Sequence, residues 1–495
     1  MDRSEDTVRV RFAPSPTGLL HIGGLRTALY NYLFAKKHGG TFVLRIEDTD
    51  RQRYVAEAEQ DMLDSLVWSG LPYDEGPNIG GEYGPYYQSQ RKDLYKNYVD
   101  LLVAEGHAYY AFDSREELEE MRSRLATPEN PSPKYDMVSR VSMKNSFTMD
   151  AAEVQSEIDS GAPYVVRLRV PEGEQVQFED LVRGVVSFST AEVDDQILLK
   201  SDGMPTYHMA NVVDDHLMGI THIIRGEEWL PSTPKHMLLY KAFGWEAPTT
   251  AHLPLILSPT GGKLSKRNAD KMGIPVSVRQ YQEAGYEPEA VINFLAMLGW
   301  NPGTEQELFS LDELAEAFTA DRIGSSGVQF NLDKLKWYNE QYLRGFDLAE
   351  LRKRVSPSLD AAGIQVDVAK LDAILGLMQE RMSFAHDLVK DVRYFFDDPK
   401  EYNEKAVKKR WKEDTPALLN AYIEKIESST GFSAVVLEEQ LHALAEEKEV
   451  GMGKIMAPLR IALSGVAGGP NLYDMMAILG KETCLRRLRT AFVSL

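Results

Sequence analysis

A glycine-rich turn near the N-terminus contains residues that could bind phosphate. Residues 14–24 read PSPTGLLHIGG, and Gly18, Gly23 and Gly24 permit close backbone approach and unusual φ values. The helix predicted to follow would offer free N–H groups and the positive end of its dipole, both suited to a phosphate. His21 lies just before this helix, where its imidazole could donate to a phosphate oxygen. Taken alone, such a turn is more often structural than functional.

A second loop places two lysines close together behind two glycines. Residues 261–267 read GGKLSKR, with Lys263 and Lys266 three positions apart. Mobile ammonium groups can neutralise the charge that builds up on a departing pyrophosphate. A lone surface K-x-x-K is usually solvated, so this loop indicates chemistry only in combination with the first turn.

The elements around the first turn predict how it is held. VRVRFAP (8–14) alternates polar and apolar residues and predicts a strand, residues 24–38 carry apolar groups at helical spacing, and TFVLRIED (41–48) predicts a second strand. This order is a βαβ unit, which seeds a parallel sheet with helices on its faces. The predicted fold class is therefore α/β.

Further along the chain the pattern changes twice. Residues 90–200 predict an insertion between two halves of the sheet, and the last third predicts helices alone. The supporting segments are a loop-rich stretch at 126–150, strands at 164–170, 185–189, 196–201 and 222–226, and helices at 54–68, 92–105, 233–243, 368–390 and 415–427.

Composition limits the possible classes of protein. The 495 residues, 43% of them hydrophobic, suggest about three globular domains. The single cysteine, Cys484, excludes an intramolecular disulfide and a C-x-x-C site, and it favours a structural role in a reducing cytosol. A net charge of −20 argues against a wholly basic nucleic-acid binder, although one basic face could still bind RNA. No secretory signal or membrane-spanning run is predicted.

The two loops together resemble the paired signatures of class I aminoacyl-tRNA synthetases. Longer motifs narrow this resemblance to bacterial-type glutamyl-tRNA synthetases, strongly over 8–345 and more weakly beyond. These motifs are RFAPSPTGLLHIGGLRTALYNYLFA (11–35), LRIEDTDRQR (44–53), YDEGP (73–77), SDGMPTYHMANVVDDHLMGITHIIRGEEWLPSTP (201–234), KLSKR (263–267), GKIMAPLRIALSG (453–465) and ILGKETCLRRL (478–488).

This resemblance implies an ATP-dependent ligase. Such enzymes activate glutamate to glutamyl adenylate, release pyrophosphate, and transfer the glutamyl group to the terminal ribose of tRNA(Glu), generally only after the tRNA is bound. The implied fold is a Rossmann-like catalytic domain with an α+β acceptor-stem insertion and an all-α anticodon-binding region. The expected boundaries are 1–90 and 201–255 for the catalytic halves, 91–200 for the insertion, 256–344 for the KLSKR loop and stem contacts, and 345–495 for the helical region.

The resemblance also assigns roles to residues of the amino-acid pocket. Its implied glutamate-binding residues are Arg11, Ala13, Ser15, Glu47, Tyr207, Asn211 and Arg225. A substrate with two carboxylates and one ammonium group suits a pocket with two cations and one carboxylate. An arginine binds a carboxylate through a bidentate fork, so we assign Arg225 to the substrate side chain and Glu47 to its ammonium group.

The implied nucleotide-binding residues surround the two loops. They are His21, Gly23, Glu228, Ile256, Lys263 and Lys266, and His21, Lys263 and Lys266 are also expected to be catalytic. Catalysis here is mainly positioning and electrostatics, because the substrate carboxylate is itself the nucleophile. Mg²⁺ is expected to accompany ATP, without a dedicated protein cage.

The chain departs from the family pattern at two places. Gly24 stands where the HIGH signature has its last histidine, which removes one phosphate donor. Some members carry zinc in the insertion, but residues 105–126 contain only His107 and no cysteine. Tyr109, Tyr110 and Phe112 are expected to fill the equivalent volume, so we predict no structural zinc.

Several related proteins remain as alternatives. Glutaminyl-tRNA synthetases have a β-barrel anticodon module, which the helices predicted over 345–495 argue against. A paralogue that modifies a tRNA base would lack the last third, which this chain has. Pantetheine- and NAD-forming nucleotidyltransferases are much smaller and lack KLSKR. A non-catalytic tRNA-binding paralogue should have lost His21, Lys266 or Arg225, and all three are present. We expect a cytoplasmic monomer with no membrane association.

The anticodon reading is predicted from one short segment. LGLMQERMSFAHDL (375–388) resembles the region that reads the third anticodon base, and Arg381 falls where discriminating members carry arginine. Glutamate anticodons end in C, whose pairing edge offers acceptors to a donor-only guanidinium, whereas glutamine anticodons end in G. We therefore predict an enzyme that rejects tRNA(Gln), with a non-discriminating enzyme as the alternative.

Overall fold

The computed structural model describes residues 7–50, 53 and 55–495, with the backbone only for Lys266, Asn268 and Asp270. The chain divides into two compact units. The first consists of Met1–Ala284 and Pro288–Lys334, and the second of Gly285–Glu287 and Leu335–Leu495.

All described strands belong to the first unit. They are β1 Arg9–Phe12, β2 Thr41–Leu44, β3 Ala108–Ala111, β4 Val165–Leu168, β5 Gln175–Asp180, β6 Gly184–Ser189, β7 Ile197–Leu199, β8 His222–Gly226, β9 Thr249–Leu253, β10 Ile256–Leu257 and β11 Val328–Gln329.

The helices are distributed over both units. Those that begin in the first unit are α1 Ile22–Lys37, α2 Ala56–Trp68, α3 Lys92–Ala104, α4 Arg115–Leu125, α5 Ala151–Asp159, α6 Tyr207–Leu217, α7 Thr233–Phe243, α8 Lys266–Met272, α9 Val278–Glu283, α10 Pro288–Ala296, α11 Leu311–Ala317 and α12 Leu332–Gly345. The others are α13 Leu348–Ala361, α14 Val368–Met378, α15 Asp387–Asp391, α16 Glu404–Arg410, α17 Thr415–Ser428, α18 Ala434–Glu447, α19 Gly453–Ser464, α20 Leu472–Leu479 and α21 Lys481–Ser494.

Parallel strands form the centre of the first unit. β1 pairs with β2 in parallel over their full lengths, and β8 pairs with β9 in the same way. Thr221, just before β8, bonds to the backbone of Arg9, so β1 and β8 run side by side. Ligands of such sheets bind beyond the carboxyl ends of the strands, and the predicted site residues follow β1 and lie at the end of β8.

Helix α1 begins at the predicted phosphate turn. His21 is its N-cap, and its Nδ1 accepts the backbone N–H of Gly23 at 3.0 Å. Gly18, Gly23 and Gly24 do not have positive φ, so the expectation of unusual φ values at these glycines is wrong. Gly23 and Gly24 form the first turn of α1, and a Cβ on Gly24 would lie 2.9 Å from Leu20 Cδ1, so close packing explains the glycine there.

The predicted insertion does not form a separate layer. Strands β3, β4 and β7 form a three-stranded antiparallel sheet, and its core includes Leu198 together with Val213 of α6 and Leu239 of α7. The β5–β6 hairpin instead extends the β8–β9 sheet, because Asp180 at the end of β5 pairs with Thr250. The catalytic sheet is therefore mixed, with its antiparallel edge supplied by the insertion.

The described part of the second unit is helical, with one large core of leucine, isoleucine and methionine side chains. The single helix predicted over 368–390 is wrong, because α14 ends at Met378 and α15 begins only at Asp387. Gln379 Nε2 donates to the carbonyl oxygens of Leu343 and Phe346, at 3.0 and 2.7 Å. This contact with the end of α12 stabilises the chain where α14 ends.

Candidate active site

Two cavities adjoin at the carboxyl ends of β1 and β8. Their volumes are about 410 and 380 Å³, and they share the lining residues His21, Gly23, Gly24, Thr27, Gly226 and Glu228. The first lies over β1 and α6, and the second lies toward β10 and the KLSKR loop. Their common wall is the start of α1, so two ligands could meet at the helix N-terminus.

The first cavity brings together all seven residues assigned to the amino-acid pocket. Arg11, Ala13, Ser15, Glu47, Tyr207, Asn211 and Arg225 all line it. They come from four separate segments: β1 and the residues after it, the loop after β2, α6 and β8. This clustering supports their assignment to one site, while the role of each remains a prediction.

Arg225 is a buried cation in the first cavity, 5% exposed. Its Nε donates to His252 Nε2 at 3.1 Å, and its Nη1 donates to Tyr207 Oη at 2.9 Å. Its Nη2 donates to Thr233 Oγ1 at 2.9 Å. Among described residues it forms no ion pair with a carboxylate, so its guanidinium lacks a counter-charge. A buried charge is normally paired, and a carboxylate-bearing ligand would supply that partner.

Glu47 supplies a buried acceptor on the lining of the same cavity. Its Oε1 accepts Arg45 Nη2 at 3.0 Å and Asn211 Nδ2 at 3.1 Å. In the described structure Oε2 receives no hydrogen bond. Burial raises the pKa of Glu47, although Arg45 and Arg11 act in the opposite direction. An ammonium group at Oε2 would favour the ionised form.

A buried carboxylate holds the arginines behind this wall. Asp215 binds Arg11 Nε at 3.0 Å and Arg45 Nη1 at 2.7 Å. Burial alone would raise the pKa of Asp215, but the charges of Arg11 and Arg45 outweigh it and lower the pKa. Asp215 is therefore a fixed negative charge that positions one cavity arginine directly and Glu47 through Arg45.

The second cavity collects the described part of the predicted nucleotide set. His21, Gly23, Glu228, Ile256 and Lys263 line it. Lys263 Nζ lies 3.2 Å from Glu228 Oε1, and both side chains are about half exposed. Lys266 begins α8, but its side chain lies outside the described structure, so its assignment rests on the motif alone.

Sequence reasoning did not identify several residues that shape the pocket. Arg45 and Asp215 are fully buried, and Asp180, His252 and Thr233 support Arg225. For Arg45 and Asp215 the available signal was the two consecutive acids at 214–215, which lie inside an otherwise apolar helical pattern. The contacts of His252 had none, because they join strands that are distant in the sequence.

The insertion does not offer a zinc site at residues 105–126. His107 is exposed, and Tyr109 is buried with its hydroxyl donating to Asp195 at 2.6 Å. Tyr109 packs edge-on against Phe147 with ring centroids 4.7 Å apart. The described residues contain no cluster of three or more His, Cys, Asp or Glu suited to a metal ion. Aromatic packing occupies this region, and metal analysis of purified protein would test the prediction of no zinc.

Comparisons with known proteins agree over both units. The catalytic domain of class I tRNA synthetases (E and Q) matches residues 7–337, and an anticodon-binding domain matches residues 348–492. The chain is 48% identical to a glutamate–tRNA ligase of Cytophaga hutchinsonii, covering 100% of this chain and 99% of that one. The chain belongs to the glutamate–tRNA ligase family.

Other members of the glutamate–tRNA ligase family are also similar to this chain, in sequence and in structure. A glutamate–tRNA ligase of Chlorobaculum parvum is 48% identical over 97% of both chains. The crystal structure of a glutamate tRNA ligase from Elizabethkingia meningosepticum, in complex with its amino acid, matches with a TM-score of 0.95 at 44% identity. That match covers 99% of this chain and 100% of the other.

Membership confirms the family, the ligase class and the fold predicted from the motifs. The fold is a class I catalytic domain with a mixed sheet, followed by a helical anticodon-binding domain. None of the described helices combines the length and apolar character needed to span a membrane.

Proposed function

We propose that this chain activates L-glutamate with ATP and transfers it to the 3′-terminal ribose of tRNA(Glu). An oxygen of the glutamate α-carboxylate attacks the α-phosphorus of ATP, forming a P–O bond as the bond to pyrophosphate breaks. A ribose hydroxyl then attacks the activated carbonyl carbon and forms the ester C–O bond. The bond between that carbon and the phosphate oxygen breaks, AMP leaves with its electron pair, and the hydroxyl proton is released. The products are glutamyl-tRNA, AMP and pyrophosphate.

The observation that carries this proposal is that Arg225 and Glu47 line the same cavity. Arg225 is a buried guanidinium without a carboxylate partner among described residues, and Glu47 is a buried carboxylate on the same lining. Glutamate presents a side-chain carboxylate for the first and an ammonium group for the second. Arg11, held by Asp215, adds a second cation for a substrate with two carboxylates.

The shared wall of the two cavities supports the activation step. His21 Nδ1 accepts the Gly23 N–H, so a neutral ring carries its proton on Nε2 and can donate to a phosphate oxygen. Lys263 would exchange its contact with Glu228 for the phosphates, and Lys266 would join it through the KLSKR motif. Such preorganised donors stabilise charge that develops on the departing pyrophosphate.

Mg²⁺ would accompany ATP without a protein cage of its own. Among the described residues, Glu228 is the only carboxylate that lines the second cavity, and it is paired with Lys263. Mg²⁺ is commonly held by one or two carboxylates together with substrate phosphates and water. The phosphates of ATP and water would therefore supply most of its ligands here.

The insertion over 91–200 and the helical region over 345–495 are proposed to bind the acceptor stem and the anticodon. Arg381 is exposed in the short helical turn after α14. Burial lowers the pKa of Arg460, and the charge of Arg381 acts in the same direction. Arg460 Nη1 and Tyr394 Oη are buried without partners in the described structure. Both atoms are closed to solvent, so the exposed Arg381 is the group proposed to meet the edge of an unstacked RNA base.

The proposed tRNA specificity is the discriminating one, with the cytosine at the third anticodon position read at Arg381. The acceptors O2 and N3 on the pairing edge of cytosine match the donor-only guanidinium of Arg381. A cytoplasmic monomer is proposed as the working form. Cys484 is buried and burial raises the pKa of its thiol to about 12, which suits an inert core residue.

The deciding experiment is ATP–pyrophosphate exchange with the purified chain, with and without tRNA(Glu). Exchange that depends on glutamate, and is not supported by glutamine, is expected. Charging of purified tRNA(Glu) and tRNA(Gln) side by side then tests the specificity. Absence of glutamate-dependent exchange in the presence of tRNA(Glu) would refute the activity, whereas equal charging of both tRNAs would refute only the discrimination.

A further inference from the structure

The guanidinium of Arg225 is supported from behind by a histidine on the neighbouring strand. Arg225 lies on β8 and His252 on β9, and their parallel register pairs them directly. Arg225 Nε donates to His252 Nε2 at 3.1 Å, and His252 is completely buried. Because a guanidinium can only donate, His252 Nε2 must be an unprotonated acceptor.

The other nitrogen of His252 faces a buried carboxylate from the insertion. His252 Nδ1 lies 2.6 Å from Asp180 Oδ2, at the end of β5. With Nε2 unprotonated, Nδ1 carries the proton and donates it to Asp180. Burial lowers the pKa of His252 despite this carboxylate, which agrees with a neutral ring.

Asp180 is fixed at both of its oxygens. Oδ1 accepts the backbone N–H groups of Val182, Arg183 and His252 at 3.1, 3.1 and 3.3 Å. Oδ2 accepts Thr250 Oγ1 at 2.9 Å as well as the proton of His252. The carboxylate is therefore locked in one orientation by the tip of the β5–β6 hairpin and by β9.

We propose that Asp180 and His252 are positioning residues that hold the Arg225 guanidinium in the orientation that binds the substrate side-chain carboxylate. This inference rests on the proposed glutamate-activating function. Asp180 selects the tautomer of His252, and that tautomer presents the acceptor that orients Arg225 Nε. Using a neutral acceptor avoids an internal carboxylate partner, which would compete with the substrate for the guanidinium.

The replacement Asp180→Asn tests the tautomer directly. The asparagine oxygen is expected to remain at the Oδ1 position, because three backbone N–H groups point at it. Its amide NH₂ would then face His252 Nδ1 and donate to it, which moves the ring proton to Nε2. That proton would meet the Nε–H of Arg225, so the guanidinium would lose its acceptor and turn.

His252→Asn is the second variant, and it decides the outcome if Asp180→Asn does not fold. An asparagine amide can still donate to Asp180, but it is too short to accept from Arg225. Thr190→Val is the matched control, because Thr190 is fully buried at the base of the same β5–β6 hairpin and its Oγ1 bonds to the backbone of Glu174 rather than to Asp180 or His252. The melting temperature of each variant reports its structural cost separately from its kinetics.

The readout is glutamate-dependent pyrophosphate exchange in the presence of tRNA. Loss of a hydrogen bond to a charged group predicts a KM for glutamate roughly 10- to 100-fold higher in both test variants. The kcat at saturating glutamate and the KM for ATP should stay within about threefold of wild type, as expected for lost substrate binding. Thr190→Val should retain the wild-type KM for glutamate, even if its melting temperature falls.

An unchanged KM for glutamate in folded Asp180→Asn, or in His252→Asn when the former does not fold, would overturn the positioning role. An equal rise in KM in Thr190→Val would also overturn it, because the effect would then follow general packing. Wild-type protein is assayed first. Its failure to show glutamate-dependent exchange would count against the proposed function itself, so the two failures are distinguishable.

Discussion

Asp215 binds the Arg11 guanidinium through both carboxylate oxygens, at 3.0 and 3.2 Å, with both side chains buried. The same carboxylate binds Arg45, which in turn binds Glu47. One residue on α6 thus fixes a cation, Arg11, and through Arg45 an anion, Glu47, both on the cavity lining. The pocket is preorganised by a buried ion network before any ligand enters.

Asp215→Asn should therefore reduce both stability and glutamate affinity. The variant leaves two buried guanidinium groups short of a charge, and breaking a buried pair costs about 3–5 kcal/mol. We expect a decrease of this size in the free energy of unfolding, measured by urea titration, and a higher KM for glutamate. Asp360→Asn, at an exposed position in α13, is the control and should match wild type in both measurements. A wild-type unfolding curve for Asp215→Asn would contradict the network.

Arg225→Ala should raise the KM for glutamate steeply. Truncating one partner of a buried charged contact costs about 2–5 kcal/mol, which corresponds to at least about 30-fold in KM. Arg225→Lys should recover only part of this loss, because an ammonium group cannot form the bidentate fork. Arg115→Ala, at a fully solvated position in α4, provides the control in the same exchange assay. Unchanged saturation by glutamate in both Arg225 variants would remove this residue from the pocket.

Lys266→Ala should impair activation while leaving tRNA binding intact. A lost transition-state donor costs on the order of 2.7–4 kcal/mol, so pyrophosphate exchange should fall by about two orders of magnitude or more. Binding of tRNA, measured by filter retention, should stay near wild type. Lys271→Ala changes an exposed lysine on the same short helix and should leave exchange unaffected. Near-normal exchange in Lys266→Ala would show that the KLSKR assignment is wrong.

A partly buried histidine, His208, and a buried one, His236, should make stability depend on pH. His208 Nδ1 and His236 Nε2 lie 3.1 Å apart. Burial, and then the charge of Lys235, lowers the pKa of His208 to about 4, and burial lowers that of His236 well below its usual value. Below about pH 6.5 the unfolded chain binds protons that the folded chain excludes, so stability is complete above pH 6.5 and is lost as pH falls toward 4.

For His208 alone this loss amounts to up to about 3 kcal/mol. Urea unfolding between pH 7.5 and 4.5 should show it, and His208→Gln should reduce the slope. His442→Gln, at an exposed histidine of α18, should leave the slope as in wild type. A slope that is the same in wild type and His208→Gln would contradict the assignment.

Arg381→Gln should weaken the rejection of tRNA(Gln). An amide can accept as well as donate, so it no longer opposes the N–H groups of guanine. Each lost base contact is expected to change the ratio of charging efficiencies by about 1–3 kcal/mol, roughly 5- to 150-fold. Lys353→Gln, which removes an exposed charge from α13, is the control. If wild type discriminates and Arg381→Gln does so equally well, another residue reads the base.

The βαβ unit, the β8 strand and α7 could be predicted from the sequence, because apolar periodicity and turn residues act over short distances. The seven residues predicted for the amino-acid pocket were assigned from their resemblance to family motifs, and all seven line the first cavity. The helix predicted over 368–390 was wrong, since its end depends on Gln379 binding carbonyl groups of another helix. Periodicity contains no information about such a contact.

The sequence by itself determined which charged groups the site contains, through Arg11, Glu47 and Arg225. The tertiary structure alone decided which charges are already paired and which remain available. Asp215 shares its single negative charge between Arg11 and Arg45, whereas Arg225 meets only neutral acceptors in the described structure. These pairings join strands and helices far apart in the chain, and the low dielectric of the buried site makes each one strong enough to set where a charged ligand can bind.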